Sequence, residues 1–522
     1  MLVCLIFKDL LLERAVGMSE VCVELVGKLV GEMLGLSKEE LSPSDNLISL
    51  GLGSLDIMRI AGLLTKNGCN VTFSELVSNP CMASWVNFAR ERSARSSSNG
   101  SPLLGSANYS KGDPFPITSV QHAYMVGRRD GQELGGTACH AYMEFECGSL
   151  DAAKLERAVE LLILRHPMLR ARFSDDGTAR IEDKVTWKGL TTYRVEGAGN
   201  PDSRIEGIRQ ELSHLRFDIE QDDLIDVRLT VVSPKRTIMH INVDLLAADV
   251  LSIQVLLEDL AHLYDGTDLA PIEIDFMEYA RRTGIGEDAR NEDREYWLNR
   301  IDNMPGGPSL PLKAPMESVK RSQFTRMEYL IDSKSWKNFT EKGRQIGVTQ
   351  SMGIAAVYAK ALSRWSEDKK FLLNLPLFNR KPIHPDVDKI VSDFTSLILL
   401  EADCANAISL LELASQMQGR FQQDVAHSSF GAVEVLRELS HRCPNDPKKA
   451  PVVFASNIGT QFISNKVEDV FGPLSKMLAE TPQVLLDHQI YDHKNGLLLA
   501  WDYVSELLDD KIAKQMFEAY CT

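Results

Sequence analysis

Residues Asn242-Val-Asp244-Leu-Leu-Ala-Ala-Asp249-Val-Leu-Ser252 set two carboxylates five positions apart. The apolar, β-branched run Thr237–Val243 before them predicts a strand, and Ser252–Leu260 after them predicts a helix. Both carboxylates then fall on the short connection between the two. Such a pair can move protons, bind a metal with His240 nearby, or hold the loop, with Asp249 as an N-cap or the partner of an arginine. No recognisable ligand cage accompanies them, which disfavours a metal, and the holding role is favoured over direct acid–base work. A second chemical candidate is Ser54, in Gly51-Leu-Gly53-Ser54-Leu55 at the start of an amphipathic helix. Its plain role is to satisfy unpaired helix N–H groups. The same position exposes a hydroxyl where backbone dipoles favour an attached phosphodiester. His166 in Arg165-His166-Pro167 follows a long helical run, where a His-Pro step more often ends a helix than supplies a base.

The elements that must position these groups fall into two regions. At 522 residues the chain exceeds one ordinary domain. A net charge of −16 argues against nucleic acid as a partner. Nine scattered cysteines without a CxxC indicate neither a disulfide framework nor a zinc site, and suggest a reducing, cytoplasmic setting. The apolar start Met1–Phe7 is too short for a membrane span and has no basic n-region. Residues 1–18 therefore read as an extension, with Met18 as an alternative start. Residues 19–93 read as a small bundle of four helices. Residues 94–113, rich in Ser, Gly and Asn, read as a flexible linker. From 114 to 522, helices such as Ala152–Arg165 and Gly347–Arg364 alternate with strands such as Phe371–Leu377 and Val452–Ala455. Two such series predict two α/β lobes, about 114–290 and 291–522.

Several ordered motifs carry a family resemblance. Phe115-Pro-Ile-Thr118-Ser-Val-Gln121-His-Ala-Tyr124-Met-Val-Gly127-Arg128 resembles the FPLTxxQxAYxxGR opening of nonribosomal peptide heterocyclization domains. Leu373-Asn374-Leu-Pro-Leu-Phe378-Asn379-Arg380, Asp393-Phe394-Thr395, Pro451-Val-Val-Phe454-Ala455-Ser456 and Pro482-Gln483-Val484-Leu-Leu-Asp487 follow in the family's order. The DxxxxDxxS stretch also matches, with Leu245 where condensation domains carry the second His of HHxxxDG. A leucine accepts no proton, so condensation through that imidazole is excluded. The small region resembles aryl, acyl and peptidyl carriers. There the resemblance implies 4′-phosphopantetheine on Ser54, although Gly53 replaces the Asp or His common before that serine.

The resemblance implies a carrier bundle followed by a pair of chloramphenicol-acetyltransferase-like lobes, most similar to the first module of pyochelin- and yersiniabactin-type siderophore synthetases. An aryl thioester, of salicyl type, would condense with carrier-bound Cys, Ser or Thr and lose water to give a thiazoline or oxazoline. The implied partners are a phosphopantetheinyl transferase, an aryl-acid adenylating enzyme and downstream adenylation and carrier domains. Ring closure needs a proton delivered to the departing hydroxyl and one removed from nitrogen. The family assigns this to the Asp of PQVxxD, here Asp487, with a Thr or Ser of PVVFTS. Asn379 and Gln483 complete the implied catalytic set, and Asp244, Asp249 and Ser252 are implied as motif residues holding the active site. This sequence departs from the pattern at Ala455, where the family has Thr, so Ser456 becomes the candidate hydroxyl. Two rival readings are an amide-forming domain that never closes the ring and a non-catalytic docking scaffold.

Overall fold

The computed structural model describes residues 23–37, 40–67, 69, 71–96, 112–195, 200–284, 291–378, 380–381, 383–443 and 448–522. At Ser54 it describes the backbone only. The expected extension, the linker segment 97–111 and Asn379 lie outside these residues.

The small module holds α1 (23–34), α2 (Leu47–Leu50), α3 (Ser54–Lys66), α4 (Phe73–Ser78) and α5 (Met82–Ser96). The one-turn α2 adds to the four helices read from the sequence. It forms because the Asn46 side chain accepts the N–H groups of Ile48 and Ser49, at 3.0 and 3.1 Å. Val26, Leu47, Ile57, Ile60, Leu76 and Trp85 make the core, and the Trp85 indole donates to Leu76 O at 2.9 Å. Helix α3 starts at Ser54, and the Gly53 N–H donates to the Asp56 carboxylate at 2.9 Å.

The large region contains α6 (Ser119–Gly127), α7 (Ala152–Arg165), α8 (Val250–Tyr264), α9 (Ser333–Gln345), α10 (Gln350–Leu362), α11 (Leu410–Ala426) and α12 (Ala432–Arg442), among shorter helices. Its main strands are β1 (His140–Cys147), β2 (Thr191–Arg194), β3 (Ile225–Ser233), β4 (Arg236–Asp244), β5 (Phe324–Asp332), β6 (Lys370–Phe378), β7 (Thr395–Asp403), β8 (Val452–Gln461), β9 (Leu474–Glu480), β10 (Leu486–His493) and β11 (Gly496–Val504). They make a five-stranded sheet in the order β9-β1-β4-β3-β2 and a six-stranded sheet in the order β7-β6-β8-β10-β11-β5. Strand β9 comes from the C-terminal half of the chain yet pairs antiparallel with β1, so one strand stitches the two halves together.

The small module packs on the large region through α4 against α11, where the Ser78 hydroxyl donates to Gln422 O at 3.0 Å. Arg59 of α3 donates to Gly459 O, at the end of β8, at 3.3 Å. The Arg344 guanidinium of α9 lies against Gly51, where an added Cβ would meet Arg344 Cζ at 2.9 Å. Gly51 also holds φ +121°, so both its backbone and its missing side chain admit the arginine.

Candidate functional site

A cavity of about 540 Å³ lies between the two sheets. Strands β6, β8 and β10 form one wall, and α6, the start of α8 and strand β9 contribute the other. The register aligns Asn374 of β6, Val453 of β8 and Asp487 of β10 side by side across that wall. All three line the cavity.

Asp487 is 6% exposed. Its Oδ2 accepts from Gln489 Nε2 at 2.7 Å, whereas Oδ1 has no partner. Burial, reinforced by the nearby Asp502 carboxylate, pushes the Asp487 carboxyl up to about 7. Gln489 is itself fixed: its Oε1 accepts from the Tyr491 hydroxyl at 2.7 Å and from Arg326 Nη2 at 2.8 Å. Arg326 in turn forks onto Asp502, at 2.7 and 2.6 Å. The result is a half-held carboxyl at the cavity wall, its second oxygen buried without a partner, at a pKa suited to both giving and taking a proton near neutrality. Gln489, Tyr491, Arg326 and Asp502 escaped the sequence reading. Residues 487, 489 and 491 alternate on one strand face, a period-two signal that was available. The long-range pairing of Asp502 with Arg326 left no such signal.

Ser456 stands differently from its sequence-based assignment. Strand alternation turns Ala455 and Asn457 into the cavity and Ser456 to the opposite face. There the Ser456 hydroxyl pairs with that of Ser351 on α10, at 2.8 Å. It therefore cannot replace the missing Thr hydroxyl beside Asp487. Ala455 leaves that cavity position apolar, and Gln489, paired with Ala455 in the register, is the polar neighbour instead.

The Asp244/Asp249 pair is absorbed in bracing. Asp244 is fully buried, accepting from Arg128 Nη1 at 2.7 Å and from the Leu246 N–H at 3.0 Å. Asp249 caps α8 by accepting from the Ser252 N–H at 2.7 Å and from Arg380 Nη2 at 3.0 Å. The Ser252 hydroxyl donates to Ser392 O at 2.6 Å and accepts from Arg380 Nη2 at 2.9 Å. These groups tie the strand-to-helix connection to the segment leading into β7. Leu245 lines the cavity where an imidazole would otherwise stand. Gln483 also lines it, at φ +63°, with its N–H donating to Leu134 O at 2.7 Å. Its left-handed backbone pins the loop between β9 and β10 over the cavity. His166 lies elsewhere, buried against Asp259 at 2.9 Å, and burial lowers its pKa.

A second groove, of about 500 Å³, runs between α3 of the small module and the start of α8. Phe378 lines both this groove and the cavity and so stands between them.

A helical module packed on two sheets that enclose a cavity, with a half-held carboxyl lining it, fits a carrier followed by a condensation-type domain. The chain belongs to the Condensation domain family, which matches residues 115–521, and the Phosphopantetheine attachment site family matches residues 24–89. It is 35% identical over 493 residues to the phenyloxazoline synthase MbtB of Mycobacterium sp. (strain MCS), covering 94% of this chain and 42% of that protein. It is 34% identical to the pyochelin synthetase PchE of Pseudomonas aeruginosa (strain UCBPP-PA14), covering 95% and 35%. The chain thus spans well under half the length of these relatives. Among solved structures, the EpoB NRPS cyclization-docking bidomain from Sorangium cellulosum superposes with TM-score 0.72 at 30% identity, covering 79% of this chain and 84% of that one. This chain is a nonribosomal peptide synthetase carrier and condensation domain of the cyclization type. No helix among the described residues is long and apolar enough to cross a membrane.

Proposed function

We propose that this chain holds an aryl thioester, of salicyl type, on a phosphopantetheine arm at Ser54, joins it to carrier-bound Cys, Ser or Thr, and closes the product to a thiazoline or oxazoline for a siderophore. The observation that carries this reading is Asp487, buried in the cavity with one oxygen held and one free, where no imidazole stands. The phenyloxazoline and pyochelin synthetases support the aryl donor and the ring. We read the two sheets with their helices as chloramphenicol-acetyltransferase-like lobes, and 19–93 and 114–522 as the two working domains.

The residues present fit a phosphopantetheine arm. Ser54 begins a thirteen-residue helix whose N-terminal dipole suits a phosphodiester, and Phe378 lines both the groove beside α3 and the cavity. The fourteen bonds from a serine oxygen to the thiol match between four and five extended residues, or roughly 16 Å. Along β8, from the Asn457–Gly459 end near α3 back to Val453 beside Asp487, the chain rises by a similar distance, roughly 13–20 Å. When bound, the arm supplies a mobile thioester. In amide formation the cavity orients the two reactants and excludes water, which substitutes for bimolecular encounter. In ring closure Asp487 delivers a proton to the departing hydroxyl and takes one from nitrogen, while Gln489 fixes its orientation. A phosphopantetheinyl transferase, an aryl-acid adenylating enzyme and a downstream adenylation and carrier pair are the partners this requires.

Ala455 and the outward turn of Ser456 favour one second reading, amide formation without closure. Holo protein loaded with salicylate or 2,3-dihydroxybenzoate and given a Cys- or Thr-loaded partner carrier decides between them by intact mass. A ring product supports the proposal; an amide that stays one water heavier supports the second reading; no transfer at all refutes both.

A further inference from the structure

The cavity holds a phenol hydroxyl that the chemistry above does not use. Helix α6 turns Val120, Ala123 and Tyr124 toward the cavity, on a single helical face. Gly127 continues that face one turn further on, against the loop that leads into β10. A Cβ added at Gly127 would meet Pro482 Cβ at 2.6 Å, and Asp487 is the second residue of the strand that this loop enters. Tyr124 therefore stands on the wall across from Asp487. Helix α6 is fixed there, since Gln121 Nε2 donates to Leu246 O at 2.7 Å and Arg128 is paired with Asp244. The Tyr124 ring is half-buried against the hydrophobic core that includes Met125 and Ala141. Its hydroxyl has no hydrogen-bond partner among the described residues, yet it is not sealed off as the unpartnered oxygens of Asp393 and Asp487 are. Its accessible surface opens into the cavity. Tyr491, a second phenol lining the cavity, is already committed to Gln489.

We propose that the Tyr124 hydroxyl is a catalytic hydrogen-bond donor to the reacting carbonyl oxygen, first in amide formation and again in ring closure. The inference rests on both steps taking place in this cavity, as proposed above. One oxygen atom is charged twice in that sequence. When the acceptor amine attacks the donor thioester, the C=O electron pair moves onto oxygen. It returns as the carbon–sulfur bond breaks, and the amine's proton ends on the departing thiol. When the acceptor's thiol or hydroxyl attacks the new amide, the pair moves onto the same oxygen, which takes the nucleophile's proton. That oxygen then leaves as water with the proton from Asp487, while Asp487 takes the N–H proton as C=N forms. A donor aimed at this oxygen from the wall facing Asp487 stabilises both charged stages and keeps its own proton. Burial, with Asp393, Cys139, Asp487 and Asp249 adding to it, pushes the phenol well above its usual range. Tyr124 thus remains a neutral donor while Asp487 exchanges its proton.

Tyr124→Phe keeps the ring and removes only a hydroxyl without a protein partner, so its melting temperature should match that of wild type. In single-turnover assays with salicyl-loaded protein and a Cys-loaded partner carrier, amide formation should fall by about 10²–10³-fold. Asp487→Asn, by contrast, leaves that step intact. Closure of the amide that does form should fall by a similar factor, about 10²–10³-fold. Amide formation by Tyr124→Phe at the wild-type rate overturns the proposal. A second measurement needs no turnover. A phosphopantetheinyl transferase loads Ser54 with an arm that ends in a salicyl amide, its carbonyl labelled with carbon-13, in place of a thioester. The infrared stretch of the labelled carbonyl should rise from wild type to Tyr124→Phe, because losing a hydrogen bond strengthens the C=O bond. An unchanged stretch overturns the proposal. Wild type making no amide would instead refute the proposed function, and the carbonyl stretch would still judge Tyr124.

Discussion

Asp487→Asn tests the site with two independent readouts. The substitution keeps shape and lets the new amide oxygen accept the Gln489 bond that Asp487 Oδ2 accepts now. It removes the ability to exchange a proton. Amide formation, which depends on placing two thioesters together, should survive. Ring closure should fall by about 10²–10⁴-fold, so that an amide one water heavier than the ring accumulates on the acceptor carrier. In wild type, closure should slow as pH rises through about 7, because the acid that protonates the departing hydroxyl is lost there. The second readout is stability. Burial raises the folded-state pKa from 3.8 to about 7, so the neutral acid is the form the fold prefers. The stability this contributes is complete below about pH 4 and lost as pH rises through about 7, a loss of up to about 4 kcal/mol at high pH. Asparagine mimics the neutral acid and escapes that loss. The variant should therefore melt several degrees above wild type at pH 8 and at the same temperature near pH 4. Wild-type rates of ring product would refute the proton-transfer role. A melting difference independent of pH would refute the account of its burial.

Ser54→Ala should abolish the mass gain on treatment with a phosphopantetheinyl transferase and all transfer from the carrier, while the bundle stays folded at a cost of about 0.5–2 kcal/mol; a retained mass gain refutes Ser54 as the attachment site. Ser456→Ala should leave ring formation within about twofold of wild type, since it removes only a hydroxyl pair with Ser351, a net loss of about 1 kcal/mol read by denaturant melting. Arg380→Ala should be far costlier, about 3–5 kcal/mol, because it strands the buried Asp249 carboxylate and frees the segment carrying Asp393. Arg380→Met, read in the same melts, should recover little, as the unpaired charge remains.

Much of this was legible in the chain because two patterns are local. Helix Ala152–Arg165 was expected from its periodicity and is found with those limits. Strand β4 and the cap of α8 place Asp244 and Asp249 at the two ends of a short connection, as alternating apolar residues and an N-capping Asp indicate. Strand β8 was expected to stop near Ala455 and instead runs to Gln461. With the strand cut short, its alternation could not be projected past Ala455, and adjacent Ser456 was credited with a face it does not occupy. What stayed hidden is long-range: β9 crossing to β1, and Arg326 reaching Asp502 and Gln489 from a strand 163 residues or more away in sequence. No local propensity encodes such pairings.

The same geometry explains why the residues most prominent in the sequence are not those with free chemistry. Asp244 and Asp249 stand out by spacing, yet each carboxylate meets an arginine and backbone N–H groups, which leaves a held anion at a fixed position. Asp393 and Asp487 stand out less, yet both line the cavity and each keeps one buried oxygen without a partner. An unpaired buried carboxyl costs folding energy. The chain tolerates that cost at two residues lining one cavity. Moving the Asp487 carboxyl one residue along β10 would turn it to the opposite face of the sheet, as Ser456 is turned on β8. The reactive groups of this fold are therefore selected by strand parity and register, and a hydroxyl restored at position 455, not at 456, is the change that would face Asp487's wall of the cavity.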